Sequence, residues 1–304
     1  MLPARRLTSP DVARQNEGSP RVKKTVALTL LLAAPPVALL ALGSPARFGG
    51  PLIYRLLVTW GVPAAAALLA LLFSLRGARG LLFPGAPRTL RRLIPWCFAA
   101  FVVDFSFLGA GHAVGWITFT YGDQGYSGHP ARTVLWALPL CLFVGVFGWE
   151  WALRRTLFVS WARYIGRPIA LLISCAVGVA LAAPAILPGL MVPDPAYAAA
   201  AFVVVACREI SCALIFASGA GLPAAGIYRG LFAYLDTFVL NDWYSVQFPA
   251  ANYTTSEPMF YLVRSAAAVL STALVAAGAH RASRAGNAAA APPIPARQAA
   301  GTRS

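Results

Sequence analysis

Residues 146–167 read VFGWEWALRRTLFVSWARYIGR. The run begins as apolar sequence fit for lipid, yet Glu150 sits inside it and Arg154 follows one helical turn later. An ionisable side chain within a membrane helix costs about 2.5–3.5 kcal/mol on insertion scales, and is usually found facing a bundle interior or a wet cavity. With only 10 acidic residues in 304, a carboxylate at this place needs a partner or a task. That reading makes the segment one helix of a membrane bundle with a polar inward side.

Composition bounds the rest. The chain is 59% hydrophobic and 12% charged, with a mean hydropathy of +0.67. A soluble domain carries about 25% charged residues, and several apolar runs here reach the roughly 20 residues that cross a bilayer. A polytopic membrane protein is the expected class. The net charge of +15 does not indicate a nucleic-acid partner, because the basic residues fall in blocks between apolar runs rather than on one face or domain. The five cysteines, Cys97, Cys141, Cys175, Cys207 and Cys212, all lie in apolar segments without ligand spacing. They read as small buried hydrophobes, and neither a metal nor a cofactor is expected.

Hydropathy places eight spans near 26–44, 53–75, 93–118, 133–153, 168–188, 197–218, 224–241 and 259–279. Uniformly apolar runs lack the alternation of a transmembrane barrel, and backbone groups in lipid must be satisfied within helices. The fold expected is an all-α bundle: a basic tail at 1–24, one helical domain at 25–280, and a flexible Ala/Pro-rich tail at 281–304. Lys and Arg set the orientation. The tails and the loops on their side hold nineteen, against three (Arg47, Arg55 and Arg132) on the other side. Both termini are therefore expected in the cytoplasm. The Ala-, Pro- and Arg-rich usage points to a bacterial inner membrane.

The ionisable residues inside spans are Asp104 and His112 in the third, Glu150 and Arg154 in the fourth, Arg208 and Glu209 in the sixth and Asp236 in the seventh. Glu150 and Arg154 are spaced i,i+4 with the acid first, the favourable order for a helical ion pair. Their bland reading is a structural clamp; their sharper one is a carboxylate held at a water-accessible cavity. Asp104 and His112, eight residues apart, are expected to share a face. Arg208 and Glu209 are adjacent, so they point about 100° apart and need partners on other helices. Glu209 is expected to meet Arg154 or Arg155, and Arg208 to meet Asp236 or Glu150. Arg229 and Arg264 lie nearer span ends and are expected to snorkel. Trp149, Trp151 and Trp161 read as an interfacial belt.

The quoted stretch resembles the first motif of the CAAX prenyl protease and bacteriocin-processing (CPBP) family, the glutamic intramembrane endopeptidases. That motif is two glutamates, three residues and an arginine, within an eight-helix bundle. One branch of the family reads Trp-Glu, three aromatic residues and Arg-Gly, with something like Ala-Arg-x-x-Gly further on. Here Trp149, Glu150, Trp151, Ala152, Leu153 and Arg154 are followed by Ala162, Arg163, Tyr164, Ile165 and Gly166. The likeness spans about residues 90–245, roughly twenty of them specific. Position by position, the family's water-activating first glutamate falls on Trp149. Its second glutamate and its arginine, which look mainly architectural in the family, fall on Glu150 and Arg154. A register shifted by one makes Glu150 the first glutamate and Arg155 the arginine. The second motif's histidine position holds Ala220, four residues after Phe216, and residues 230–243 contain no histidine.

The resemblance implies an endopeptidase acting on a membrane-anchored or exported protein, or on a C-terminal peptide, in protein sorting or maturation. In that reading Glu150 is the base, Arg154 orients it, and Glu209 or Asp236 completes the site, with Arg155, Arg208, Asp104 and His112 in secondary places. The absent histidines equally imply a catalytically inactive scaffold or accessory protein. A small proton-coupled transporter is the third reading, with Asp104, Glu150 and Glu209 as relay groups. All three place the chain in the lipid bilayer and away from nucleic acid.

Overall fold

The computed structural model describes residues 20–42, 87–121, 130–190, 195–235, 251–255 and 258–290, with helical pieces at 61–62, 64–66 and 68–69. Helices dominate. α1 is Pro20–Leu42 and α2 is Pro87–Ala113. A single rod follows: α3 (Pro130–Phe143), a π-helix (Val144–Phe158) and α4 (Val159–Ile165). α5 is Arg167–Leu190 and α6 is Pro195–Ile215, which winds into a π turn at Phe216–Ala220. α7 is Leu222–Tyr234 and α8 is Pro258–Ala290. Seven of the eight expected spans overlap these helices, and the last part of the seventh, 236–241, lies outside the described residues. The second, 53–75, is described only in its short pieces.

Four helical stretches among the described residues are long and apolar enough to cross a membrane: Pro87–Ala113, Ala137–Ile165, Ala198–Ala220 and Met259–Arg284. Arg167–Ala183 is a shorter apolar helix. The fold is thus a helical bundle with membrane-crossing segments.

Three features depart from expectation. A two-stranded antiparallel ribbon, β1 (Ile117–Tyr121) with β2 (Ala251–Thr255), pairs Ile117 with Thr255 and Tyr121 with Ala251. Its first strand begins at Ile117 and Thr118, the last two residues of the expected third span, and runs three residues beyond it. α1 begins at Pro20, inside the expected tail, where Pro suits the first turn of a helix. α8 runs to Ala290, beyond the expected boundary at 280, because Ala- and Arg-rich sequence favours helix over coil.

Packing fixes how the helices meet. α2 and α8 lie antiparallel: Gly111 meets the Phe260 ring at one end, and a Cβ on Gly278 would stand 2.5 Å from Trp96 at the other. α7 presses against the α3–π rod through glycines. A Cβ on Gly145 would stand 2.5 Å from the Gly226 carbonyl, and one on Gly230 would stand 2.8 Å from the Cys141 carbonyl. Gly226 and Gly230 are spaced as the small residues that let membrane helices approach backbone to backbone. Gly166 turns the chain between α4 and α5 at φ 83°, a conformation open to glycine at little cost.

Candidate functional site

The rod, α6 and α7 bring two carboxylates and two guanidiniums together. Glu150 and Arg154 come from the π-helix, Glu209 from α6 and Arg229 from α7. Arg154 Nε lies 3.3 Å from Glu150 Oε2, and Arg154 Nη2 donates to Glu209 Oε2 at 2.7 Å. Arg229 Nη1 donates to Glu209 Oε1 at 2.6 Å, and Arg229 Nε donates to Glu150 Oε1 at 2.7 Å. The four groups close into a ring of alternating sign and zero net charge. Glu150 is 0% exposed and Arg154 1%. Each carboxylate is gripped by two arginines and each arginine by two carboxylates. This is the geometry in which Coulomb attraction best offsets the desolvation of buried ions.

The surroundings hold the ring in place. Arg154 Nη1 donates to Ser174 Oγ on α5, and that hydroxyl donates to the Leu153 carbonyl at 2.9 Å. Arg154 Nη2 also reaches the Glu209 carbonyl at 2.9 Å. Gly178 on α5 makes room for Glu209, since a Cβ there would fall on its carboxylate. The Arg229 guanidinium lies 5.2 Å from the centre of the Trp149 ring, within reach of a cation–π contact. Three atoms of the ring are less well served. Glu150 Oε2 accepts no aligned hydrogen bond, and Arg154 Nε and Arg229 Nη2 donate none, although all three are buried.

A second cluster joins α2, α6 and α8. Arg208 Nη2 lies 3.4 Å from Asp104 Oδ2, and Arg264 Nη1 lies 3.6 Å from the same oxygen and 3.2 Å from the Asp104 carbonyl. Aromatic rings flank both cations: Phe232 lies 4.5 Å from Arg208 and Phe107 lies 4.0 Å from Arg264.

The expected pairs Glu150–Arg154 and Glu209–Arg154 are both present. Arg208 and Glu209 do diverge, each to its own cluster. Arg208 meets Asp104 rather than Glu150, and Asp236 lies outside the described residues. Arg155 is half-buried, and it is Arg154 that takes Glu209. Asp104 and His112 do not share an environment: Asp104 is buried and His112 exposed, because eight residues at 100° each leave them about 80° apart around the helix. Arg229 and Arg264 do not snorkel but lie in the two clusters. The signal for Arg229 was its place between Gly226 and Gly230. A helix face pressed that close to its neighbour turns a long side chain inward, and the Arg229 side chain keeps only 14% of its surface exposed. The tryptophans depart from a simple belt as well, since Trp149 and Trp161 pack on buried leucines and Trp161 Nε1 donates to Thr29 at 2.9 Å. Among the described residues, no group of three or more His, Cys, Asp or Glu could hold a metal ion.

The fold and these clusters define a helical protein with helices long and apolar enough to cross a membrane and a buried polar interior. Neither a family model, nor a curated protein, nor a solved structure matches the chain.

Proposed function

We propose that this protein is a multi-pass membrane scaffold of the CPBP-like type, which binds a membrane-anchored or exported protein without cutting it. The closed ring carries this reading. Both oxygens of Glu209 and Oε1 of Glu150 accept hydrogen bonds from arginine, and Oε2 of Glu150 lies beside Arg154. A carboxylate so engaged is a poor general base, because taking a proton would break its ion pairs. Glu150 and Arg154 stand at the positions the resemblance assigns to architecture, and Trp149 stands where the water-activating glutamate belongs. The bundle has eight spans in this reading, with both termini in the cytoplasm.

One observation favours the endopeptidase instead. Glu150 Oε2 has no aligned hydrogen bond and could accept one from an attacking water. A comparison of membrane-proteome termini separates the two readings. The strains are a deletion, the deletion with wild type, and the deletion with Glu150→Gln at matched protein level. The scaffold reading expects no terminus to depend on Glu150. Trimmed forms that vanish in the deletion and return only with wild type would establish the endopeptidase.

A further inference from the structure

We infer that the corner formed by the start of α2 and the end of α8 is a binding site for an anionic phospholipid. The antiparallel packing of these helices puts Arg88, Arg91 and Arg92 beside Arg281 and Arg284, and all five are exposed. The acidic residues among the described ones, Asp104, Glu150 and Glu209, are buried in the two clusters. None of them offsets this charge at the surface. Five cations on two adjacent helix ends form the pattern that draws anionic headgroups, each contributing about 1 kcal/mol near a charged surface, or roughly fivefold in affinity.

Two further observations give the corner the shape of a lipid rather than of a free anion. The Arg281 guanidinium lies 4.7 Å from the centre of the half-buried Trp96 ring. That fixes one cation at an aromatic residue of the type that sits at headgroup level. Below it, Ile94, Phe98 and Val102 are 55%, 68% and 52% exposed. Spaced at four residues, they follow Arg91 along one side of α2 and give acyl chains an apolar track running from the guanidinium into the membrane-crossing segment. Arginine grips phosphate oxygens through two parallel donors, so phosphate esters are the headgroup chemistry that fits. This inference rests on the membrane placement alone, and holds whether or not the protein cuts a substrate.

The test is native mass spectrometry of the full chain in detergent with equal amounts of phosphatidylglycerol and phosphatidylcholine. Wild type is expected to retain phosphatidylglycerol preferentially. The double variant Arg91→Gln/Arg281→Gln should lose at least about tenfold of that preference. Arg91→Lys/Arg281→Lys, which keeps the charge, should stay within about threefold of wild type. So should Arg163→Gln/Arg167→Gln, which removes two exposed cations from the turn between α4 and α5. Equal retention of both lipids by wild type would overturn the inference. So would undiminished preference in the Gln pair, or an equal loss in the Arg163/Arg167 control.

Discussion

At the scale of single residues, the question raised by Glu150 has a structural answer. It is one corner of a four-membered ionic ring, and removing a corner leaves a buried charge uncompensated. Breaking a buried ion pair on one side typically costs about 3–5 kcal/mol. Glu209→Gln is expected to reach that range, because Glu209 accepts aligned hydrogen bonds from both Arg154 and Arg229. Thermal unfolding in detergent should rank it below Glu150→Gln, which gives up only one aligned hydrogen bond. The reverse ranking would mean that the ring is not the tie between the rod and α6. Half of the ring was legible in sequence. The i,i+4 spacing gave Glu150 with Arg154, and the need of Glu209 for a cation on another helix gave the second pair. Arg229 was hidden because counting from a span's end measures distance along the chain, whereas its escape route is set by how close α7 lies to the rod.

At the scale of elements, glycine decides what the ring can be. Gly145, Gly226 and Gly230 let α7 reach the rod, and Gly178 leaves the volume that the Glu209 carboxylate fills. Gly178→Ala is expected to displace Glu209 and destabilise by about 1–3 kcal/mol through overpacking. Gly226→Ala should do the same by forcing α7 off Val146. Gly109→Ala, with nothing within 4 Å of its Cβ, should stay within about 0.5 kcal/mol of wild type. Unfolding midpoints measured side by side check all three, and an equal effect at Gly109 would contradict the packing. The ribbon was the element least visible in sequence. ITFTY and ANYTT are each five residues long, one straddling the end of an expected span and the other within an expected loop. Their β-branched and aromatic residues carried a strand signal, but pairing across more than a hundred residues leaves no local trace.

At the scale of the whole molecule, the helical class was legible from hydropathy alone, since lipid permits few alternatives. The grouping of charge at one end is partly visible too. Trp161 meets Thr29 about a turn and a half beyond Lys23 and Lys24 on α1, which brings those lysines toward Arg163 and Arg167. Cysteine probes at Arg163 and Arg284 are expected to react with an impermeant reagent from the same face of the membrane, and one at His112 from the opposite face. Labelling of all three from one face would contradict the arrangement. A double-mutant cycle of unfolding on Glu150→Gln and Arg229→Gln measures whether Glu150 is held as architecture. A coupling of at least about 1 kcal/mol is expected, with the double variant losing less than the sum of the singles. Additive losses, or a Glu150→Gln variant as stable as wild type, would contradict it and leave Glu150 free for chemistry.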